Sequence, residues 1–234
     1  MRAILKREMR SYFSSPIGYV CIAVLCALFG FYYYWAMLMG STSYIPDVYS
    51  TMFMWCMMII PIITMRSMTD DRKNKTDQAL LTAPVGVTGI VMGKFLAAFC
   101  VFGIAMVLSL VPAFVMSFFG SPVWAVILGT FFGTLLYGGA MISIGVFISS
   151  LTESQIIAAI GTFAISIFLM VIGNMGSVVG NNFLGTLINW ISFENRYTPF
   201  TNGSFNISSI VFFLSVMAIF VFITARKLES RRWS

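Results

Sequence analysis

Any chemistry in this chain has to come from one stretch, residues 69–94, TDDRKNKTDQALLTAPVGVTGIVMGK. It carries four basic and three acidic residues in a chain with only 9% charged residues overall. A Leu80-Leu81 pair, Pro84 and a glycine-spaced return to apolar sequence follow. The end of the stretch superficially suggests a phosphate loop. That loop needs glycine at position 88, where Thr88 stands, and Ser or Thr after Lys94, where Phe95 stands. ATP binding through such a motif is therefore not expected. The chain has no histidine, which removes the commonest base and metal ligand. Its four cysteines, Cys21, Cys26, Cys56 and Cys100, lie in apolar runs without CxxC spacing, so packing is expected of them and neither metal nor disulfide is. With no nucleophile–base pair in the apolar segments, an intramembrane hydrolase is not expected either.

The stretch is better suited to being gripped than to catalysis. Thr69 is placed to cap a helix whose first turn holds Asp70 and Asp71 at the positive end of the dipole, followed by Arg72, Lys73 and Lys75. Thr76, Asp77 and Gln78 continue it, Leu80 and Leu81 add an apolar edge, and Pro84 ends it. A short amphipathic helix of this kind docks in a partner's groove; a solvated connection between two spans is the simpler alternative.

The rest of the chain must place that segment beside a membrane. A soluble domain carries about 25% charged residues. With 9% charged and 59% hydrophobic residues, most of this exterior must face lipid. The expected fold class is an all-α integral membrane protein, one domain over residues 1–234, with six spans at 17–39, 48–65, 90–118, 123–149, 155–172 and 207–224. Pro61 removes a backbone donor in the second span and predicts a kink there. No cleavable signal peptide is expected.

Residues 1–16 predict a helix lying along the membrane. Ile4, Leu5, Met9, Tyr12 and Phe13 share one half of its wheel, and Lys6, Arg7 and Arg10 occupy the other. Glu8 falls on the apolar half, against the pattern. A plain basic flank that sets topology is the alternative. Six spans put both termini on one side with residues 66–94, and that side holds thirteen of the fourteen basic residues, all except Arg196. Both termini and the 66–94 segment are thus expected to be cytoplasmic. Dispersed along membrane flanks, these cations form no nucleic-acid groove.

The spans contain almost no ionisable groups, so an ion-coupled carrier has nothing to titrate and energy must come from elsewhere. Gly129 and Gly133 suit a close helix contact, within the chain or between two copies. Between the last two spans, short helices at the interface are expected. There Trp190, Phe193, Tyr197 and Phe200 are candidates for an extracellular gate or partner contacts, or for interfacial anchors.

Residues Thr76 to Val85 (TDQALLTAPV) and Gly89 to Ala97 (GIVMGKFLA) resemble the cytoplasmic segment of ABC-2 type permeases, whose pattern is an acidic–basic start, Gly-Thr, a Glu-Leu-Leu-Leu run, Thr-x-Pro and Ile-Val-x-Gly-Lys. The similarity is greatest to gliding-motility and copper-enzyme-maturation ABC permeases. Lys75 stands for the usual glycine and Gln78 for the usual glutamate. The resemblance implies a non-catalytic permease of exporter type in a bacterial plasma membrane, with a coupling helix at 69–84. It implies a homodimer or pseudo-dimer beneath which separate ATP-binding subunits hold the ATP and Mg, with no cofactor in this chain. A membrane-anchored accessory protein with an external domain often accompanies such relatives. A stand-alone channel or carrier, and a scaffold that transmits force to an external partner, are the other readings.

Overall fold

A computed structural model describes residues 1–38, 45–76, 86–118, 123–178 and 190–232. Among the described residues there are nine helices and no strands: α1 (Arg2–Ser14), α2 (Pro16–Leu38), α3 (Ile45–Lys73), α4 (Val87–Leu108), α5 (Leu110–Met116), α6 (Trp124–Leu151), α7 (Gln155–Val178), α8 (Phe193–Thr201) and α9 (Ile207–Arg232). Six stretches are long and apolar enough to cross a membrane, in α2, α3, α4 with α5, α6, α7 and α9. This is a multi-pass membrane protein.

Local rules account for most boundaries. Ser15 is extended (φ −105°, ψ 152°), as a residue before proline prefers, and Pro16 opens α2, where its missing N–H costs nothing. The third span breaks at Ser109 because Pro112 cannot donate to the carbonyl of Leu108. Pro61 does not end α3: the Thr64 hydroxyl donates to the carbonyls of Ile60 (3.1 Å) and Pro61 (3.3 Å), and the helix continues.

The bundle is organised around α6, which packs on α3 and α9 and is lined with small buried residues, among them Gly129, Gly133, Thr134, Gly138 and Gly145. Lipid is as apolar as leucine, so close backbone packing is what holds helices together in a membrane. The outer helices show the complementary pattern: Ile156, Ile160 and Phe168 on α7, and Val211, Leu214 and Phe222 on α9, are exposed.

Thr69 is not a cap. It lies inside α3, its hydroxyl donating back to the Met65 carbonyl (2.5 Å), and α3 runs on to Lys73. Nothing between Met65 and Lys73 stops a helix, and a capping side chain acts only where the chain enters from a non-helical residue. The polar start of the 69–94 segment is therefore the end of the second span. This inverts the dipole argument: Asp70 and Asp71 sit near a negative helix end, where they need compensating cations. Arg72 and Lys73 occupy that last turn.

Past the helix end, Lys75 adopts a left-handed conformation (φ 55°), its N–H donating to the Arg72 carbonyl (3.1 Å). The sequence pattern that this segment resembles has glycine here, the residue that suits a left-handed helix end. Lys75→Gly is expected to raise stability by about 1 kcal/mol, read as a higher thermal midpoint of the purified chain.

Candidate functional site

The charged residues that sequence scatters over ninety positions converge at the end of α3. Lys94, about two turns into α4, is 2% exposed. Its Nζ reaches Asp71 Oδ2 (2.5 Å), donates to the Ser67 carbonyl (2.5 Å) and pairs with Glu8 Oε1 (3.1 Å). Arg7 closes the ring from outside, with Nη2 at 2.6 Å from Glu8 Oε1 and 3.0 Å from Asp71 Oδ2. The Thr76 hydroxyl donates to Asp71 Oδ1 (2.8 Å). Two carboxylates are thus held by two cations, and three helices, α1, α3 and α4, meet on one buried network. Partial burial opposes the Arg7 charge, but its bonds to Glu8 and Asp71 outweigh this and raise its pKa.

A second set ties α3 to its other neighbours. Arg66 pairs with Asp70 (2.9 Å) and donates to Ser15 Oγ (2.8 Å) at the α1–α2 turn. The Gln155 amide at the start of α7 also donates to Asp70. Arg72 reaches the Ser150 carbonyl (3.4 Å) and Glu153 (3.0 Å) across the α6–α7 connection. Glu153 is 68% exposed, so that pair adds little, whereas the Lys94 network is shielded from water. A cleft of about 330 Å³ opens between α1 and α3, lined by Arg7, Ser11, Tyr12, Arg66, Asp70 and Asn74 among others.

The α1 face explains itself in this setting. Ile4, Glu8 and Tyr12, at i, i+4 and i+8, are buried, Leu5, Met9 and Phe13 are half-buried, and Lys6, Arg7 and Arg10 are exposed. The Tyr12 hydroxyl donates to the Ile63 carbonyl (2.8 Å), and burial pushes its phenol pKa up, which keeps it a neutral donor.

Of the residues expected to form the docking element, Asp70, Asp71, Arg72 and Thr76 are joined to this cluster, Thr69 is held within α3 and against Ser149 of α6, and Lys73 and Lys75 are exposed beside it. Asp77, Gln78, Leu80, Leu81 and Pro84 lie outside the described residues. The sequence reading missed Glu8, Arg66, Lys94, Glu153 and Gln155 as members of the site. A signal was there: Glu8 and Lys94 are lone opposite charges, each on an otherwise apolar surface.

At the opposite end of the bundle, α8 is capped by Ser192, whose side chain accepts from the Asn195 N–H (3.2 Å). Phe193, Tyr197 and Phe200 are buried and Trp190 is exposed. Tyr197 shares a hydrogen bond with Thr134 (2.9 Å) and packs 4.9 Å from the Phe53 ring. Phe200 fills a notch at Gly133, and Gly129 faces the Phe200 carbonyl and Gly203. The Gly129/Gly133 pair therefore receives α8 of the same chain.

Six apolar spans, the small-residue helix α6 among them, stand over the buried charged network at the end of α3. Residues 2–229 match the family model described as ABC-2 family transporter protein. No curated protein matches the chain. A match over nearly the whole length settles the family: the chain belongs to the ABC-2 transporters.

Proposed function

We propose that this chain is the permease subunit of an ABC exporter and that the end of α3, with the segment that follows it to Pro84, receives work from an ATP-binding subunit on a separate chain. The observation that carries this reading is α3 itself. It passes from the centre of the bundle to Lys73 as one helix, and its end is tied to α1, α4, α6 and α7. A push on residues 74–85 then acts on a lever already connected to most of the bundle. The thirteen basic residues that share this end support a cytoplasmic placement with both termini inside. The exposed cations of α1 suit anionic lipid headgroups.

The ATP and Mg belong to the ATP-binding subunits, paired beneath two copies of this chain in a bacterial plasma membrane. The gliding-motility and copper-maturation subtype, and with it an accessory protein outside the membrane, rests on the sequence resemblance alone; transmission of force without a solute is a separate reading. Leu80→Asp and Leu81→Asp place a charge on the apolar edge offered to the motor. Each is expected to lower the copurified ATP-binding subunit, and the ATP hydrolysis that accompanies it, about tenfold, which corresponds to about 1.4 kcal/mol of docking energy. Retention of both in both variants rejects the docking role.

A further inference from the structure

Gly93-Lys94 makes no phosphate loop, yet the structure gives both residues a purpose. A Cβ at position 93 would stand 2.9 Å from Ile4 Cγ2 and 3.5 Å from the Leu5 nitrogen. Glycine is what lets the α1 backbone lie this close to α4. One residue on, Lys94 takes hold of Glu8 on the same α1 face and of Asp71 and the Ser67 carbonyl on α3. We propose that Gly93-Lys94 is the seat that makes α1 a moving part of the coupling machinery, with Glu8 and Lys94 as positioning residues that oblige α1 and α4 to follow the end of α3. The inference rests on the reading of α3 as the receiver of motor work.

The charges decide between a seat and an ordinary contact. A helix lying on a membrane has no use for a carboxylate on its apolar face, and burying Glu8 is unfavourable without a cation. Lys94 is equally costly without carboxylates. Drawing α1, α3 or α4 away from the other two leaves a buried charge short of a partner, so the three keep together. The link from Arg72 to the mostly exposed Glu153 has no such stiffness. Motion of α3 is thus passed to α1 and α4 through the buried ion pairs, whereas its link to α6 and α7 rests on hydrogen bonds with the neutral side chains of Ser149 and Gln155 rather than on the Arg72–Glu153 pair.

The test uses the full chain purified from its membrane with its ATP-binding subunit. Glu8→Gln keeps the size and an acceptor but removes the charge. The amount of bound ATP-binding subunit is expected to stay the same, while ATP hydrolysis per bound subunit falls about fivefold or more. Trypsin should also cut α1 at Arg7 and Arg10 faster. An anchor serving stability alone would lower the yield of folded chain and leave hydrolysis per bound subunit untouched, which overturns the proposal. Loss of the bound subunit overturns it too, because Glu8 would then belong to the docking surface. If Glu8→Gln does not accumulate, Gly93→Val keeps every charged side chain and pushes α1 off its seat; the same fall is expected, and unchanged hydrolysis is decisive against the seat. Failure of the docking reading shows separately, as an intact complex in the Leu80→Asp and Leu81→Asp variants.

Discussion

Lys94→Met is expected to destabilise the purified chain by about 3–5 kcal/mol, the range for removing one partner from a buried ion pair. Methionine matches the four-atom apolar stem of lysine and lacks only the ammonium, so the loss is of charge with little loss of packing. Glu8 and Asp71, with side chains 11% and 15% exposed, would share Arg7 alone, and Arg7 is 45% exposed. The buried Cys56 offers a direct readout: a thiol-reactive dye should label it at a markedly lower temperature in the variant. Lys73→Met is the matched control, since Lys73 is exposed on the neighbouring helix end; its effect should stay within about 0.5 kcal/mol. Equal midpoints for the two variants would mean that the Lys94 network carries no stability.

At the other end of the bundle, Gly133→Ala is expected to cost about 1–3 kcal/mol and to loosen α8. The added Cβ would stand 2.6 Å from Phe200 Cβ and 2.7 Å from its Cγ, closer than carbon atoms pack. Those atoms are next to the α8 backbone, and Phe200 is fully buried, so the ring cannot swing aside and the helix itself must shift. Such a shift pulls on the Tyr197–Thr134 hydrogen bond and exposes the Arg196 region, which trypsin would report as faster cleavage. Gly103→Ala is the contrasting change: nothing lies within 4 Å of its Cβ position. There alanine should be neutral or raise stability by about 0.5–1 kcal/mol through helix propensity. A lower midpoint for Gly103→Ala than for Gly133→Ala would contradict the packing of α8 into α6.

Legibility followed the range of the interaction. The span starts and the turn at Pro16 depend on near neighbours and on partition between lipid and water, and they were readable to within a few residues; the second span runs on to Lys73, eight residues past its expected end. The exception is Thr69. Its type suits a cap, but a cap depends on whether the preceding residue is helical, and Met65 to Met68 continue the span. The aromatic candidates divided for a related reason: Trp190 is exposed, whereas Phe193, Tyr197 and Phe200 turn inward because α8 folds back onto the glycines of α6.

Composition and hydropathy by themselves determined the helical, multi-pass class of this chain and its six candidate spans. These are sums over many residues, and no single contact alters them. What the tertiary structure decided is the partnership within the charged end. Glu8 looked like a flaw in an amphipathic helix, and Lys94 like the close of a failed phosphate loop. They are 86 residues apart, and their pairing depends on α1 seating on α4 at Gly93, which no local pattern specifies. Charge that is costly to bury alone becomes a fastening when two such residues meet, and only the fold brings them together.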